Sequence, residues 1–198
     1  MPYTQEHKAR TREKIVDAAR RLFNRHGLNG VSIDEIMAEA GLTRGGFYNH
    51  FNAKDELYAE VVAGFLSCLS ARRGPAGDRA ELGAARAFIA AYLSQARFDD
   101  RENSCPLMAL PSDVARGGEP VKRAYRQVLE FMLANLENGL SGPDARSRAL
   151  AIASLCIGGM AVARAVDDQE LAREIREAAK ETASSIADWA APRVEAAE

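Results

Sequence analysis

The sequence predicts an all-α chain, and three observations carry that expectation. Alanine, leucine, arginine and glutamate are abundant while valine, threonine and the aromatics are modest, a composition that favours helices over strands. Apolar residues recur at spacings of three and four through most of the 198 residues. Helix starts and stops are written in local chemistry, with Ser32 three residues before Glu35, Pro120 in a first turn, and Gly27 and Gly41 just past periodic runs. A chain of this length supports one good core or two small ones.

A first helix is expected from Gln5 to His26, with Ile15, Ala18, Ala19, Leu22 and Phe23 inward and Gly27 as its stop. Ser32 caps a second helix whose apolar stripe is Ile33, Ile36, Met37 and Ala40, and Gly41 supplies the left-handed residue that ends it. Thr43 caps a third, short helix over TRGGFYNHF. Asn52 to Lys54 links to a helix starting near Asp55 with Leu57, Val61, Phe65 and Leu69 on one face, and residues 72 to 80 read as a linker. A helix over about 80 to 97 places Leu82, Ala85, Phe88, Ile89, Tyr92 and Leu93 inward, and the polar loop RFDDRENS follows. Short helical pieces are expected at CPLMAL and at Ser112 to Arg116, separated by Pro111 and closed by Gly117 and Gly118. The next helix begins at Glu119 or Pro120 and aligns Val121, Tyr125, Val128, Met132, Leu136 and Leu140. Two long helices finish the chain, one from about Asp144 to Val166 that is apolar nearly all round, and one with a seam of Leu171, Ile175, Ala178, Thr182, Ile186 and Trp189.

Two short helices meeting at a glycine turn, followed by a third, read as a helix-turn-helix, and TRGGFYNHF gathers small, cationic, hydroxyl and aromatic side chains of the kind that reach base edges and phosphates together. The stretch IVDAARRLFNRHGLNGVSIDEIMAEAGLTRGGFYNHFNAKDELYAEV resembles the N-terminal domain of TetR-type transcriptional regulators, including its Gly-Phe-Tyr and His-Phe pairs and the Lys-Asp-Glu-Leu that opens the next helix. The likeness covers residues 10 to 65 or so, and the rest matches in helical pattern and length. It implies a helix-turn-helix DNA-binding domain over 8–68 and a C-terminal effector-binding and dimerisation domain over 69–198, in an all-helical homodimer.

Carried over residue by residue, Thr43, Tyr48 and Lys54 resemble the family's backbone contacts. Arg44 and Asn49 suit base reading, since arginine matches guanine and asparagine adenine. Gly45 and Gly46 are less usual together, and bare backbone there permits close approach to DNA. Ser32 and His50 complete the expected DNA-binding set, His50 fitting a phosphate contact or a packed histidine equally well. Phe47 and Phe51 are read as core anchors. Residues 1 to 54 carry nine Lys or Arg against six acids, a net +3 that leaves −5 for the remainder of a chain whose net charge is −2. Arg20, Arg21 and Arg25 in that count fit a solvated helix face as well as a phosphate contact.

One short reading helix specifies only a few base pairs, so two placed about one DNA turn apart, roughly 34 to 36 Å, are needed for a palindrome. The expected dimer surface comprises Ile157, Leu171, Ile175, Thr182, Ile186 and Trp189. A small, largely apolar effector is expected against Phe65, Phe88, Tyr92, Cys105, Met108, Tyr125, Met132 and Met160, where methionines repack around varied shapes and tyrosines offer hydroxyls. Few charges fall on the inward faces, which disfavours a highly charged effector. Three cysteines at wide spacing argue against a disulfide framework, and Cys68 and Cys156 read as core residues. Cys105, just before Pro106, reads either as a pocket-lining residue or as a thiol sensor of oxidants and electrophiles, its pKa lowered at a helix start.

The three histidines lie far in sequence from any cysteine, no metal-ligand spacing or phosphate-cradling loop occurs, and Asp99 and Asp100 fall in a polar loop. Neither an enzymatic site nor a cofactor is therefore expected. No apolar run of about 18 residues and no signal-peptide core is seen, so the expectation is a cytoplasmic protein without a membrane partner. These readings combine into a transcriptional repressor that binds double-stranded operator DNA as a dimer and is released by a small molecule.

Overall fold

The computed structural model describes residues 5–72 and 83–188, and every regular element among them is helical. Residues 73–80 of the expected linker, Leu82 and Trp189 lie outside the described residues, as do the side chains of Cys68 and Leu69. The elements are α1 (Gln5–His26), α2 (Ile33–Glu39), a 3-10 helix (Arg44–Asn49), α3 (Lys54–Arg72), α4 (Ala84–Tyr92), α5 (Gln95–Asp99), α6 (Pro106–Ala109), α7 (Pro111–Arg116), α8 (Glu119–Asn138), α9 (Ala145–Ala165) and α10 (Gln169–Asp188). Tertiary contacts divide the chain into two units, one joining Met1–Gly74 with Asp100–Leu129 and the other joining Pro75–Asp99 with Glu130–Glu198.

In the first unit, α1 buries Ile15, Ala18, Ala19 and Phe23 and leaves Leu22 half-buried. Phe23 meets Tyr58 of α3 edge to face at 5.2 Å. The chain leaves α1 through Gly27 at φ +73°, a left-handed conformation that costs other residues steric strain. The turn is then clamped from both sides. The Leu28 amide donates to the Asp113 carboxylate of α7 at 2.8 Å, and the Lys54 ammonium donates to the carbonyls of Leu28 and Val31, each at 2.8 Å. Asn24 and Arg20 of α1 both donate to the carbonyl of Glu102, which ties the segment leading to α6 along the same helix.

The second unit is built on α9 against α10 and α4. Gly159 makes the close α9–α10 crossing possible, since a Cβ there would lie 2.6 Å from that of Ala179. Gly159→Ala is accordingly expected to cost about 1–3 kcal/mol by overpacking, measured as a lower midpoint in denaturant unfolding. Small side chains on the α10 face, Ala172, Ala179 and Ala183, line this contact with Arg176 among them. α9 is long and apolar enough by length and composition to cross a membrane, which corrects the expectation that no stretch is. Within its unit it packs along α10 and buries Arg148, as core helices do.

Further expectations are corrected. The helix expected over 80 to 97 is broken: α4 ends at Tyr92 and α5 starts at Gln95, so Arg97 to Asp99 are helical rather than loop. The Ser94 hydroxyl at the break donates to the Ala91 carbonyl and accepts from the Arg97 amide, satisfying both helix ends locally. The third helix is a 3-10 helix, with Gly46 N–H bonded to Thr43 O at 3.0 Å and His50 N–H to Phe47 O at 2.9 Å, and the Thr43 side chain makes no capping bond. Two adjacent glycines, each about 1 kcal/mol poorer than alanine in a helix, weaken the alternative α-helical turn. The inward faces also hold more charge than expected, because Arg148 and Arg176 are 6% and 3% exposed. Arg176 donates to the carbonyl of Leu93 and to the Gln95 side chain and lies 4.6 Å from the Phe98 ring centroid, while Arg164 takes the carbonyls of Arg97 and Phe98. These arginines hold the free carbonyl ends of α4 and α5.

Candidate nucleic-acid interface

The α2 N-terminus sets the orientation of the reader. Ser32, with extended backbone, accepts from the Glu35 amide at 3.2 Å, and its own amide donates to the Glu35 carboxylate at 2.7 Å, a complete capping box. Those bonds from Ser32 hold the Glu35 carboxyl below its ordinary value. Gly41 at φ +70° ends α2, and Leu42 donates back to the Met37 carbonyl. Phe47 and Phe51 are fully buried with ring centroids 5.6 Å apart, against a core that includes Ile36 and Met37. The anchored face is thus apolar.

Between those anchors the expected contact residues face outward. Ser32, Thr43, Arg44, Gly45, Tyr48 and Asn49 are exposed, Tyr48 at 57%, and Gly46, His50 and Lys54 are half-buried. Arg44 is held by the Asp34 carboxylate at 2.6 Å, an ion pair of two exposed side chains worth about 0–1 kcal/mol. Lys54 spends two of its three ammonium protons on the Leu28 and Val31 carbonyls, leaving one for a phosphate. The basic patch is smaller than its charge count. Arg20 and Arg21 are paired with Asp17, Arg21 also with Glu39, and Arg25 with Glu102, so neither a freely solvated face nor an open phosphate contact describes them.

His50 titrates below its ordinary value of 6.5, chiefly because burial disfavours the charged ring and secondarily because Lys8 and Arg12 repel it. Its Nδ1 is buried without a hydrogen-bond partner. Below pH 6.5 the unfolded chain takes up a proton that the folded chain resists, so stability is expected to fall as pH drops through that window and to be unaffected by this group above it. Thermal unfolding between pH 7.5 and 5.5 checks this, with His50→Gln expected to flatten the dependence.

The expected effector-lining residues fall in both units. Cys105, Met108 and Tyr125 belong to the first, where Cys105 is the buried N-cap of the single-turn α6 and Tyr125 donates to the Leu107 carbonyl at 2.9 Å. Burial, with a smaller contribution from Cys105, pushes the Tyr125 hydroxyl up to about 12. Phe65 in the same unit is half-buried. Tyr92, Met132 and Met160 are buried in the second unit, and Phe88 lies 5.7 Å from Tyr92 between ring centroids. Cys156 is a core thiol there, pushed up to about 12 by burial. Of the expected dimer surface, Leu171 is 43% exposed, Thr182 is exposed, and Ile157, Ile175 and Ile186 are half-buried. Leu150 and Val162, which sequence reasoning did not single out, add exposed apolar area on α9.

A capped helix, a left-handed glycine turn and an outward-facing polar helix pinned by two buried phenylalanines define a helix-turn-helix DNA-binding regulator. Residues 15–61 match the family model of bacterial regulatory proteins of the tetR family. The chain is 30% identical over 162 residues to an uncharacterised HTH-type regulator, YxaF of Bacillus subtilis (strain 168), covering 76% of this chain and 83% of that one. It is 41% identical over 58 residues to the HTH-type transcriptional regulator AcrR of Shigella flexneri, a match spanning 29% of this chain and 27% of AcrR. The crystal structure of the reduced form of Escherichia coli NemR superposes with a TM-score of 0.71 at 20% identity, covering 93% of this chain and all of that one. The chain belongs to the tetR family and is a DNA-binding transcriptional regulator.

Proposed function

We propose that the chain is a repressor that binds a palindromic operator as a homodimer and is released by a small, largely apolar effector. The observation that carries the reading is the division of one short helix into an anchored face and an exposed polar one. Phe47 and Phe51 fix it, while Arg44, Tyr48 and Asn49 stand outward. In this reading Arg44 and Asn49 contact bases, and Thr43, Tyr48 and the remaining Lys54 proton contact phosphates. Exposed Leu150, Val162 and Leu171 support a dimer surface on α9 and α10. Arg148 and Arg176 are committed to carbonyls, so their burial does not call for a charged effector. A cytoplasmic location follows from the proposed work on operator DNA.

The bonds from α1 to Glu102 and from Leu28 to Asp113 support a route by which an effector acts, since the segment bearing Cys105 and Met108 is fastened to α1 and to the turn that leads from it toward α2. To relieve repression 100-fold the effector need discriminate between two states by only about 2.7 kcal/mol.

Gly45 gives this reading a prediction of opposite signs. Its φ is not positive and a Cβ there would meet nothing within 4 Å, so neither backbone conformation nor packing asks for glycine. Gly45→Ala is expected to stabilise the fold by up to about 1 kcal/mol while weakening operator binding, read by unfolding and by DNA titration. The function itself is tested by selecting fragments from a genomic library with purified protein and titrating salt on the enriched site. A palindrome whose affinity falls steeply with salt supports the proposal, and no enrichment over bulk DNA rejects it.

A further inference from the structure

Arg12 contributes to the N-terminal basic charge, yet the fold surrounds it with partners on α3 and at the end of the 3-10 helix. Its Nε donates to the two Glu60 carboxylate oxygens on α3 at 3.0 and 3.1 Å, and an Nη donates to the same group. The other Nη donates to the His50 carbonyl. The guanidinium carbon lies 4.0 Å from the centroid of the Phe51 ring. His50 and Phe51 directly follow the 3-10 helix, and both of their amides return to the Phe47 carbonyl. A single planar cation thus joins α1, the end of the reading helix and α3.

Each of these contacts uses the shape of arginine. The fork toward Glu60, the separate donor toward His50 and the flat face over Phe51 are available together only from a guanidinium, and a lysine ammonium supplies the charge without the geometry. The carbonyl at His50 closes a helix too short to satisfy its own end. Tyr48 and Asn49 immediately precede it, so the direction of those two side chains depends on where this end is held. A phosphate contact by Arg12 would require it to leave the Glu60 carboxylate.

We infer that Arg12 is a positioning residue for sequence reading, which fixes the C-terminal end of the reading helix against α1 and α3 and does not itself contact DNA. The inference rests on the reading of Arg44–Asn49 as the DNA-contacting helix. The test compares the full-length wild type, Arg12→Lys and Glu60→Gln on the selected operator fragment and on a scrambled fragment of equal length. Each is titrated across a salt series, with thermal unfolding measured alongside.

Arg12→Lys is expected to weaken operator binding about 10-fold or more, the equivalent of one charge-assisted hydrogen bond, while scrambled-fragment affinity and the salt slope stay as in the wild type. Glu60→Gln, which keeps Arg12 and the Glu56 carboxylate 3.9 Å from it and removes the charge of the hydrogen-bonded anchor, is expected to shift the operator-to-scrambled ratio in the same direction. In Arg12→Lys, which keeps the charge, a parallel loss on both fragments at an unchanged unfolding temperature would make Arg12 a phosphate contact and overturn the inference. Unchanged discrimination in both variants, or loss of both affinities in step with the unfolding temperature, overturns it as well. A wild type that does not discriminate between the fragments defeats the underlying reading instead, and the inference with it.

Discussion

A chain carrying aspartate at both Val162 and Leu171 is expected to remain folded, to sediment as a monomer, and to bind the operator at its non-specific level, about 10³-fold or more weaker than the wild type. The two side chains are 53% and 43% exposed, so charge at these positions leaves the core of a single chain intact. In the proposed dimer through α9 and α10 the same charges would be placed in an apolar contact without partners, at a cost of several kcal/mol each. One reading helix covers only a few base pairs, and losing the second half-site removes most of the specific free energy. Sedimentation velocity and DNA titration on the same preparation check both halves of the expectation. A variant that stays dimeric would move the interface away from α9 and α10.

The second large effect is expected from Arg44→Ala. In the free protein the guanidinium is extended across an exposed surface to Asp34, a pair weak enough to yield to DNA. If Arg44 reads a guanine, its loss costs about 1–3 kcal/mol per half-site and relaxes discrimination at one base-pair position in each. Selection of binding sites from a randomised operator separates this from a phosphate role, which would weaken all sequences alike. Stability is expected to change little, because the side chain is exposed and its ion pair with Asp34 is solvated. Unchanged preference at every position would remove Arg44 from the base readers.

Much of the architecture was legible because it is written in local chemistry. Ser32 and Glu35 close a capping box, Gly27 and Gly41 adopt the left-handed conformations their positions implied, and α1 has the bounds its periodicity gave. What escaped depends on partners distant in sequence. The buried face of α10 runs through Ala172, Arg176, Ala179 and Ala183, one residue along from the seam of larger aliphatics, and Gly159 of α9 meets that face so closely that a Cβ on it would lie 2.6 Å from that of Ala179. Leu171 and its neighbours are thereby turned outward. The α4–α5 break is held in part by Arg176, whose acceptor at Leu93 is 83 residues away.

At the candidate interface, sequence identified residue types and their exposed helix but not their partners. Arg12, Arg20, Arg21 and Arg25 all looked like patch charges, and each is engaged by a carboxylate or carbonyl of its own chain. Lys54 likewise carries a structural duty toward Leu28 and Val31 that its motif position did not reveal. The 3-10 geometry of the reader was also hidden, since six residues span too few turns for periodicity to separate it from an α-helix.

The claim that residues 32 to 54 read DNA as one half of a symmetric pair is tested most directly by a base-resolved hydroxyl-radical footprint of the wild-type protein on the selected fragment. Two protected half-sites related by a dyad and centred about one helical turn apart, roughly 34 to 36 Å, are the predicted result. A single protected patch, or protection that does not depend on the sequence beneath it, would contradict the account.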